Sequence, residues 1–292
     1  MHTSKLAVLM ACYNGTEWIN EQVDSICNQQ NILVDLFISV DLSSDSTYQW
    51  CLKLAKNKNN VMVLPYGERF GGAAKNFFRL IRDVDFSEYD YVAFADQDDI
   101  WLENKLSRAV NMIQQNNLDG FSSDVIAFWQ DGREALVKKS YRQKQFDYHF
   151  EAAGPGCTYV LKQHVLQQFK CFLNENWNQV NHVELHDWMI YSYCRTLGMK
   201  WLIDDEPLMR YRQHDSNQVG SNSGMKAYLK RFSMVKDKWY RNEVVKIRQL
   251  LIPYCVTGFS MSRWFMVKHF WQLRRRPRDA YALLVMLIVG MF

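Results

Sequence analysis

Apolar runs that stop at polar turns recur through the first half of the chain, each followed by apolar residues at helical spacing. This alternation restricts the fold more than any other feature. Leu6–Cys12, Val34–Val40, Val61–Leu64, Tyr91–Ala95 and Val125–Trp129 read as strands. Between them come Ile19, Val23 and Ile26, then Tyr48, Cys51 and Ala55, then Phe77, Leu80 and Val84, then Leu106, Ala109 and Ile113, at spacings of three and four. Repeated βα units predict an α/β protein, with a mostly parallel sheet covered by helices on both faces. In such sheets ligands bind beyond the carboxyl ends of the strands. Tyr13-Asn14-Gly15, Asp41 and Asp96 through Asp99 all fall at those ends. Past residue 130 the pattern loosens. Residues 131–152 read as loop, Gly154–Thr158 as a tight turn entering a strand, 187–197 as a helix, and Leu208–Arg212 as a late strand leading to His214.

The strand Tyr91–Ala95 ends at three carboxylates, Asp96, Asp98 and Asp99. Asp96 and Asp98 alternate and so share one side of an extended chain. Clustered carboxylates raise one another's pKa unless a cation sits among them, and oxygen ligands suit Mg²⁺ or Mn²⁺. The competing reading is a solvated acidic loop. Seven scattered cysteines form no close pair, which predicts reduced thiols in a cytosolic protein. Leu6–Cys12 is as short as a secretory signal core can be and runs into a turn, so it reads as a buried strand.

Charge is divided along the chain. Residues 225–292 hold 14 Lys/Arg against 3 Asp/Glu, while residues 1–224 hold 21 against 28. Two units are expected, a catalytic domain over 1–224 and a basic helical tail over 225–292. Tyr228, Phe232, Val235 and Trp239, then Val244, Ile247 and Leu251, give an amphipathic helix interleaved with lysines. The uncharged run Ala280–Phe292 falls short of the ~20 residues that span a bilayer. The tail is therefore expected to lie at a membrane surface, with Arg274 through Arg278 at the headgroups; docking on the catalytic domain is the alternative. A nucleic-acid partner is not expected, because no recognition motif accompanies the basic residues.

In order along the chain, Ala11–Gly15, Asp41–Asp45, Arg69–Gly72 with Asn76, Asp96–Trp101, Gly154–Cys157, His186–Trp188 and Tyr211–His214 resemble the family-2 glycosyltransferases of the GT-A fold. The bacterial rhamnosyltransferase-like branch of polysaccharide biosynthesis is the most similar in appearance. The resemblance implies that Tyr13, Asn14 and Asp41 hold the nucleotide, a carboxylate accepting the N–H of a pyrimidine ring. Where the family often carries two acids, this chain has Val40-Asp41. Arg69, Gly72 and Asn76 would complete the donor site, two glycines before a helix allowing close approach of anionic groups. Asp98, Asp96 and His214 would hold the divalent metal, Asp96 alternatively the ribose. Asp187 would be the general base, with Gly156, Cys157 and Trp188 on the acceptor side.

The implied activity is an inverting, metal-dependent transfer of a sugar, rhamnose by resemblance, from a nucleotide-diphospho-sugar. The implied acceptor is a saccharide, free or linked to polyprenyl diphosphate, at the cytosolic face of the inner membrane. A sugar-phosphate nucleotidyltransferase is the enzymatic alternative, although the glycine-rich, lysine-bearing loop it needs after the first strand is absent. A non-catalytic carbohydrate-binding or membrane scaffold is the alternative from another class.

Overall fold

The computed structural model describes residues 3–214, 238–255 and 258–292. Strands β1 (Lys5–Cys12), β2 (Leu33–Val40), β3 (Val61–Val63) and β4 (Tyr91–Asp96) alternate with helices α1 (Ile19–Cys27), α2 (Thr47–Asn57) and α3 (Ala73–Asp83). Then follow β5 (Ile100–Trp101), α4 (Lys105–Gln115), β6 (Gly120–Ser123), β7 (Val125–Phe128) and β8 (Glu134–Val137). The next stretch holds β9 (Val160–Lys162), α5 (Gln163–Glu175), α6 (Trp177–Val180), α7 (His186–Thr196), β10 (Trp201–Asp204) and β11 (Met209–Arg212). The last helices are α8 (Trp239–Leu251), α9 (Arg263–Lys268) and α10 (Pro277–Val289).

The main sheet runs β10-β6-β9-β4-β1-β2-β3. Its centre is β1, parallel to both β2 and β4. Leu6, Val8 and Met10 enter one core and Ala7, Leu9 and Ala11 the other, which is why this strand reads as an unbroken apolar run. Only β9 runs against its neighbours β4 and β6. The expected mixed, mostly parallel sheet with flanking helices is present.

The expected strand Val125–Trp129 is in fact part of a bent pair. Gly120–Ser123 joins the main sheet, while Val125–Phe128 belongs to a second sheet of order β5-β11-β7-β8. The bend is at Asp124, whose buried carboxylate accepts the backbone N–H groups of Lys139 and Ser140 and the Ser140 hydroxyl. Gly120 passes directly beneath Trp201, where a Cβ would come 2.3 Å from the ring. With Phe121 its only large apolar residue, β6 leaves no periodic signal. Residues 131–152 are not all loop, since β8 pairs with β7 as an exposed hairpin. Helix α5, absent from the sequence reading, buries Val165, Leu166, Phe169 and Leu173.

The tail folds onto the body of the protein. Val244, Ile247 and Leu251 are buried at the expected helical spacing, and together with Phe259, Leu273, Leu283 and Leu287 they join the cluster that contains Leu9, Phe77 and Ile190. Tyr228, Phe232 and Val235, and the expected junction between 224 and 225, lie outside the described residues. The arginine expectation needs correction. Arg275 is buried and paired with Asp147 at 3.0 Å, and Arg274 pairs with Glu151 at 3.6 Å. Asp147 also meets Arg195 of α7 at 3.3 Å, so the arginines tie the tail to the helix beside the site. Breaking a buried pair of this kind by removing one partner costs about 3–5 kcal/mol. Among the described residues, no helix is long and apolar enough to cross a membrane.

Candidate functional site

Three turns at the carboxyl end of the sheet interlock through hydrogen bonds. Tyr13 N–H donates to the Gln97 side-chain oxygen at 2.8 Å, and the Gln97 amide donates back to the Tyr13 carbonyl at 2.8 Å. Gly15 is required beside this clasp, because a Cβ there would stand 2.0 Å from Gln97 Oε1. Asn14, in the left-handed region at φ 47°, donates its N–H to Ser43 Oγ and accepts from Ser44 N–H. Burial alone would raise the Asp45 carboxyl, but it accepts from the Thr47 hydroxyl and N–H and from the Thr16 hydroxyl, and together these hydrogen bonds draw it below the usual range.

Asp41 is buried and accepts the N–H groups of Leu42, Phe70 and Gly71 at 2.7, 2.8 and 2.8 Å. Its carboxylate thus fastens the Arg69–Gly72 loop over the end of β2. Gly71, at φ 76°, takes the left-handed conformation that lets the loop present consecutive N–H groups. Arg69 is exposed at the lip and Gly72 begins α3. Asn76 does not face this crevice as expected. Its amide donates to the Ser39 and Cys12 carbonyls and accepts from the Ser39 hydroxyl, so it is spent joining β1, β2 and α3.

At the end of β4 the acidic residues separate by environment. Asp98 is partly buried, with His214 Nε2 2.7 Å from its Oδ2. Trp18 stacks on the His214 ring at 4.2 Å, and Arg212 donates to the Asp98 carbonyl at 2.8 Å, so β11 delivers the histidine. Asp99 is fully buried and accepts Arg212 N–H. Asp96, Asp99 and Cys157 have ligand atoms within 4.8 Å of one another. Burial, then the neighbouring Asp98 carboxylate, raises the Asp96 and Asp99 carboxyls, and burial raises the Cys157 thiol.

Buried carboxylates this close to one another suit a cation among them. A divalent ion suits the Asp96, Asp98 and His214 side of the cluster better than the Asp99 and Cys157 side. The first offers oxygen and imidazole at an accessible edge; the second is sealed inside and includes a protonated thiol. Behind it, Lys105 is fully buried over the Trp101 ring at 3.5 Å.

Gly156 and Cys157 connect this cluster to Asp187. A Cβ on Gly156 would stand 2.5 Å from His186 Nε2 and 3.2 Å from Asp187 Cβ. His186 cannot yield easily, since it is buried and stacked on Phe77 at 4.0 Å. Gly156→Ala is therefore expected to lose about 1–3 kcal/mol in thermal unfolding, the range for overpacking. An unchanged melting curve would mean that the turn has room to move.

Asp187 lies in the first turn of α7, accepts Trp188 N–H at 2.8 Å and is only partly buried. Burial pushes its carboxyl up to about 6, and Asp96 feels its charge, so the two face one region. Trp188, expected on the acceptor side, faces the core instead. It is buried, donates its indole N–H to the Tyr148 carbonyl at 2.8 Å and stacks on Tyr240 of α8.

Lys139 escaped the sequence reading because it follows a patternless hairpin strand, although its own side chain is half-buried. Its backbone is pinned by Asp124, and its ammonium lowers the Asp187 pKa against the larger effect of burial. Glu151, Arg274 and Arg275 surround the same lysine, and Tyr159 feels Asp187 from β9's approach. Lys139→Met removes a cation from the acid's surroundings, so Asp187 should protonate at higher pH. The acid limb of activity then moves toward neutrality, while Lys139→Arg leaves it in place. Superimposable pH profiles for wild type and Lys139→Met would count against this.

A profile for the family described as Glycosyl transferase family 2 matches residues 7–168. The chain is 45% identical over 289 residues to "dTDP-rhamnosyl transferase RfbG" of Shigella flexneri, covering 97% of this chain and 100% of that protein. It is 24% identical over 167 residues to an Escherichia coli protein named "UDP-Glc:alpha-D-GlcNAc-diphosphoundecaprenol beta-1,3-glucosyltransferase WfgD", covering 56% and 62% of the two chains. Among solved structures, S. aureus TarS 1-349 in complex with UDP superposes with a TM-score of 0.58 at 15% identity, covering 91% of this chain and 72% of that one. Mannosyltransferase PcManGT from Pyrobaculum calidifontis, in complex with GDP-Man and Mn2+, gives 0.56 at 12% identity, covering 99% and 86%. The ordered turns, the matched profile and the near full-length relative agree: the chain belongs to glycosyl transferase family 2.

Proposed function

We propose that this chain is an inverting, divalent-cation-dependent transferase that moves rhamnose from dTDP-rhamnose to a saccharide acceptor during synthesis of a bacterial surface polysaccharide. The near full-length similarity to a protein named a dTDP-rhamnosyl transferase supports the donor. An acceptor carried on polyprenyl diphosphate at the cytosolic face of the inner membrane accords with the more distant relative, whose name includes diphosphoundecaprenol. The catalytic unit is assigned to residues 1–224 and the basic tail to 225–292.

The observation that carries the reading is the pairing of Asp187 with the Asp96–Asp98 cluster across Gly156 and Cys157. Asp187 takes the proton of the acceptor hydroxyl, whose oxygen attacks the anomeric carbon from the face opposite the nucleotide. The bond from that carbon to the diphosphate oxygen breaks, and its electron pair leaves with the nucleotide diphosphate. Asp96, Asp98 and His214 would hold a Mg²⁺ or Mn²⁺ ion, which when bound neutralises charge on the diphosphate. Tyr13, Asn14 and Asp41 flank the base and ribose, the loop of Arg69 and Gly72 faces the phosphates, and the Gly156 turn borders the acceptor side with the Cys157 thiol buried behind it. Above about pH 6 Asp187 is ionised and ready to act as base; below it, protonation removes that capacity.

A panel of sugar nucleotides with Mg²⁺ or Mn²⁺, followed by nucleotide release and thermal shift, tests the proposal. Turnover of dTDP-rhamnose above the UDP-hexoses is the expected result. Pyrophosphate formation from a nucleoside triphosphate and a sugar phosphate would instead establish a nucleotidyltransferase, and absence of any turnover would favour a binding protein.

A further inference from the structure

From Ala280 onward helix α10 is apolar on all sides but buries only one. Ala280, Leu283 and Leu287 enter the core, while Tyr281, Val285, Ile288 and Val289 are each more than half exposed. Those four positions follow helical spacing and form a continuous outward stripe. Trp264 of α9, 85% exposed, stands beside it, because Arg263 donates to the Ile288 carbonyl. Trp271 extends the patch at the other end through a ring contact with Tyr281 at 5.6 Å. Among the described residues nothing covers this stripe, and contiguous exposed apolar surface of this kind marks a contact site.

Charge selects the cover. Arg263, Lys268 and Arg278 are exposed around the patch. The only carboxylate between residues 258 and 292 is Asp279, which is occupied by Arg274 and Arg278. A second copy of the chain would bring the same cations against each other across a two-fold axis. An anionic lipid surface complements them, and an indole at the patch suits the headgroup level. The stripe is too short to span, so it lies in the interface.

We propose that the outward stripe of α10, with Trp264 beside it, is the surface by which this protein rests on an anionic bilayer. This specifies the membrane contact in the function proposed above and rests on that reading for which membrane it is. Arg274 and Arg275, turned inward, take no part; the cations at the headgroups are Arg263, Lys268 and Arg278.

The test is cosedimentation of the full chain with vesicles of phosphatidylcholine and phosphatidylglycerol in equal amounts, and with phosphatidylcholine alone. Binding to the first and weaker binding to the second is expected, with Val285→Glu/Ile288→Glu reducing partitioning at least about tenfold. A Trp264→Phe variant should lose the blue shift of indole emission that vesicles induce in the wild type. Both variants change exposed side chains, so circular dichroism and donor turnover should stay as in the wild type. Vesicle binding unaffected by the glutamates, or a glutamate-sensitive dimer in sedimentation with no vesicle binding, overturns the proposal. Failure of the transferase reading shows separately, as absent nucleotide release from a wild type that still binds vesicles.

Discussion

Asp187→Asn is expected to lower the turnover of sugar nucleotide by about a hundred- to ten-thousandfold, the range attributed to a positioned general base. The substitution keeps the size of the side chain and its hydrogen bond from Trp188 N–H, so α7 should start where it does now. What is lost is a carboxylate whose pKa, lifted by burial to about 6, lies close enough to neutrality to accept a proton and release it again. Nucleotide affinity, followed by thermal shift with dTDP, should be unchanged, because Tyr13, Asn14 and Asp41 lie on other turns. A variant that retained most of its activity would remove Asp187 from the mechanism.

Asp98→Ala should be as damaging by a different route. Removing one carboxylate deletes a candidate ligand, frees His214 from its 2.7 Å contact and leaves Asp96 as the remaining accessible oxygen ligand. Nucleotide release should fall by at least about a hundredfold, the loss seen when a group that stabilises developing charge is removed. Stimulation by Mn²⁺ should disappear with it, and a chelator should reduce the wild type to the level of the variant. Calorimetric titration of Mn²⁺ in the presence of dTDP provides the direct check. Equal Mn²⁺ binding by wild type and Asp98→Ala would move the ion to Asp96, Asp99 and Cys157, and the mechanism with it. Stability should not drop in parallel. The mutual repulsion of Asp96, Asp98 and Asp99 is relieved when one of them is neutral, so the variant is expected to melt no earlier than the wild type without metal.

The parts of the fold that could be read from sequence are those in which burial alone decides which residues are used. β1 is apolar from Leu6 to Cys12 because both its faces are covered, and α4 repeats at three and four because it buries one side, through Leu106, Ala109, Val110 and Ile113. β6 could not be read, since a glycine under Trp201 and two buried serines supply what a longer side chain would supply elsewhere. The site divides in the same way. Asp96, Asp98, Asp187 and His214 stood out as titratable groups at a strand end, a helix start and the end of a late strand, and the fold sets His214 against Asp98 and brings Asp96 within reach of the Asp187 charge. Asn76 and Trp188 were misread because both are polar or amphipathic groups whose partners, Ser39, Cys12 and Tyr148, lie far away in sequence. Lys139 carried no signal, as its importance depends entirely on a carboxylate 48 positions further along the chain.

The hairpin exit and the last helices bear on how this protein is made. Leu283 and Leu287 occupy the same apolar cluster as Leu9, so the first strand waits for nearly the last residues before its surroundings close. Such long sequence separations slow folding, and the nascent chain must meanwhile keep that surface from other chains. A chain ending after Leu251 should accordingly appear in the insoluble fraction during synthesis, whereas the full chain should release as soluble protein.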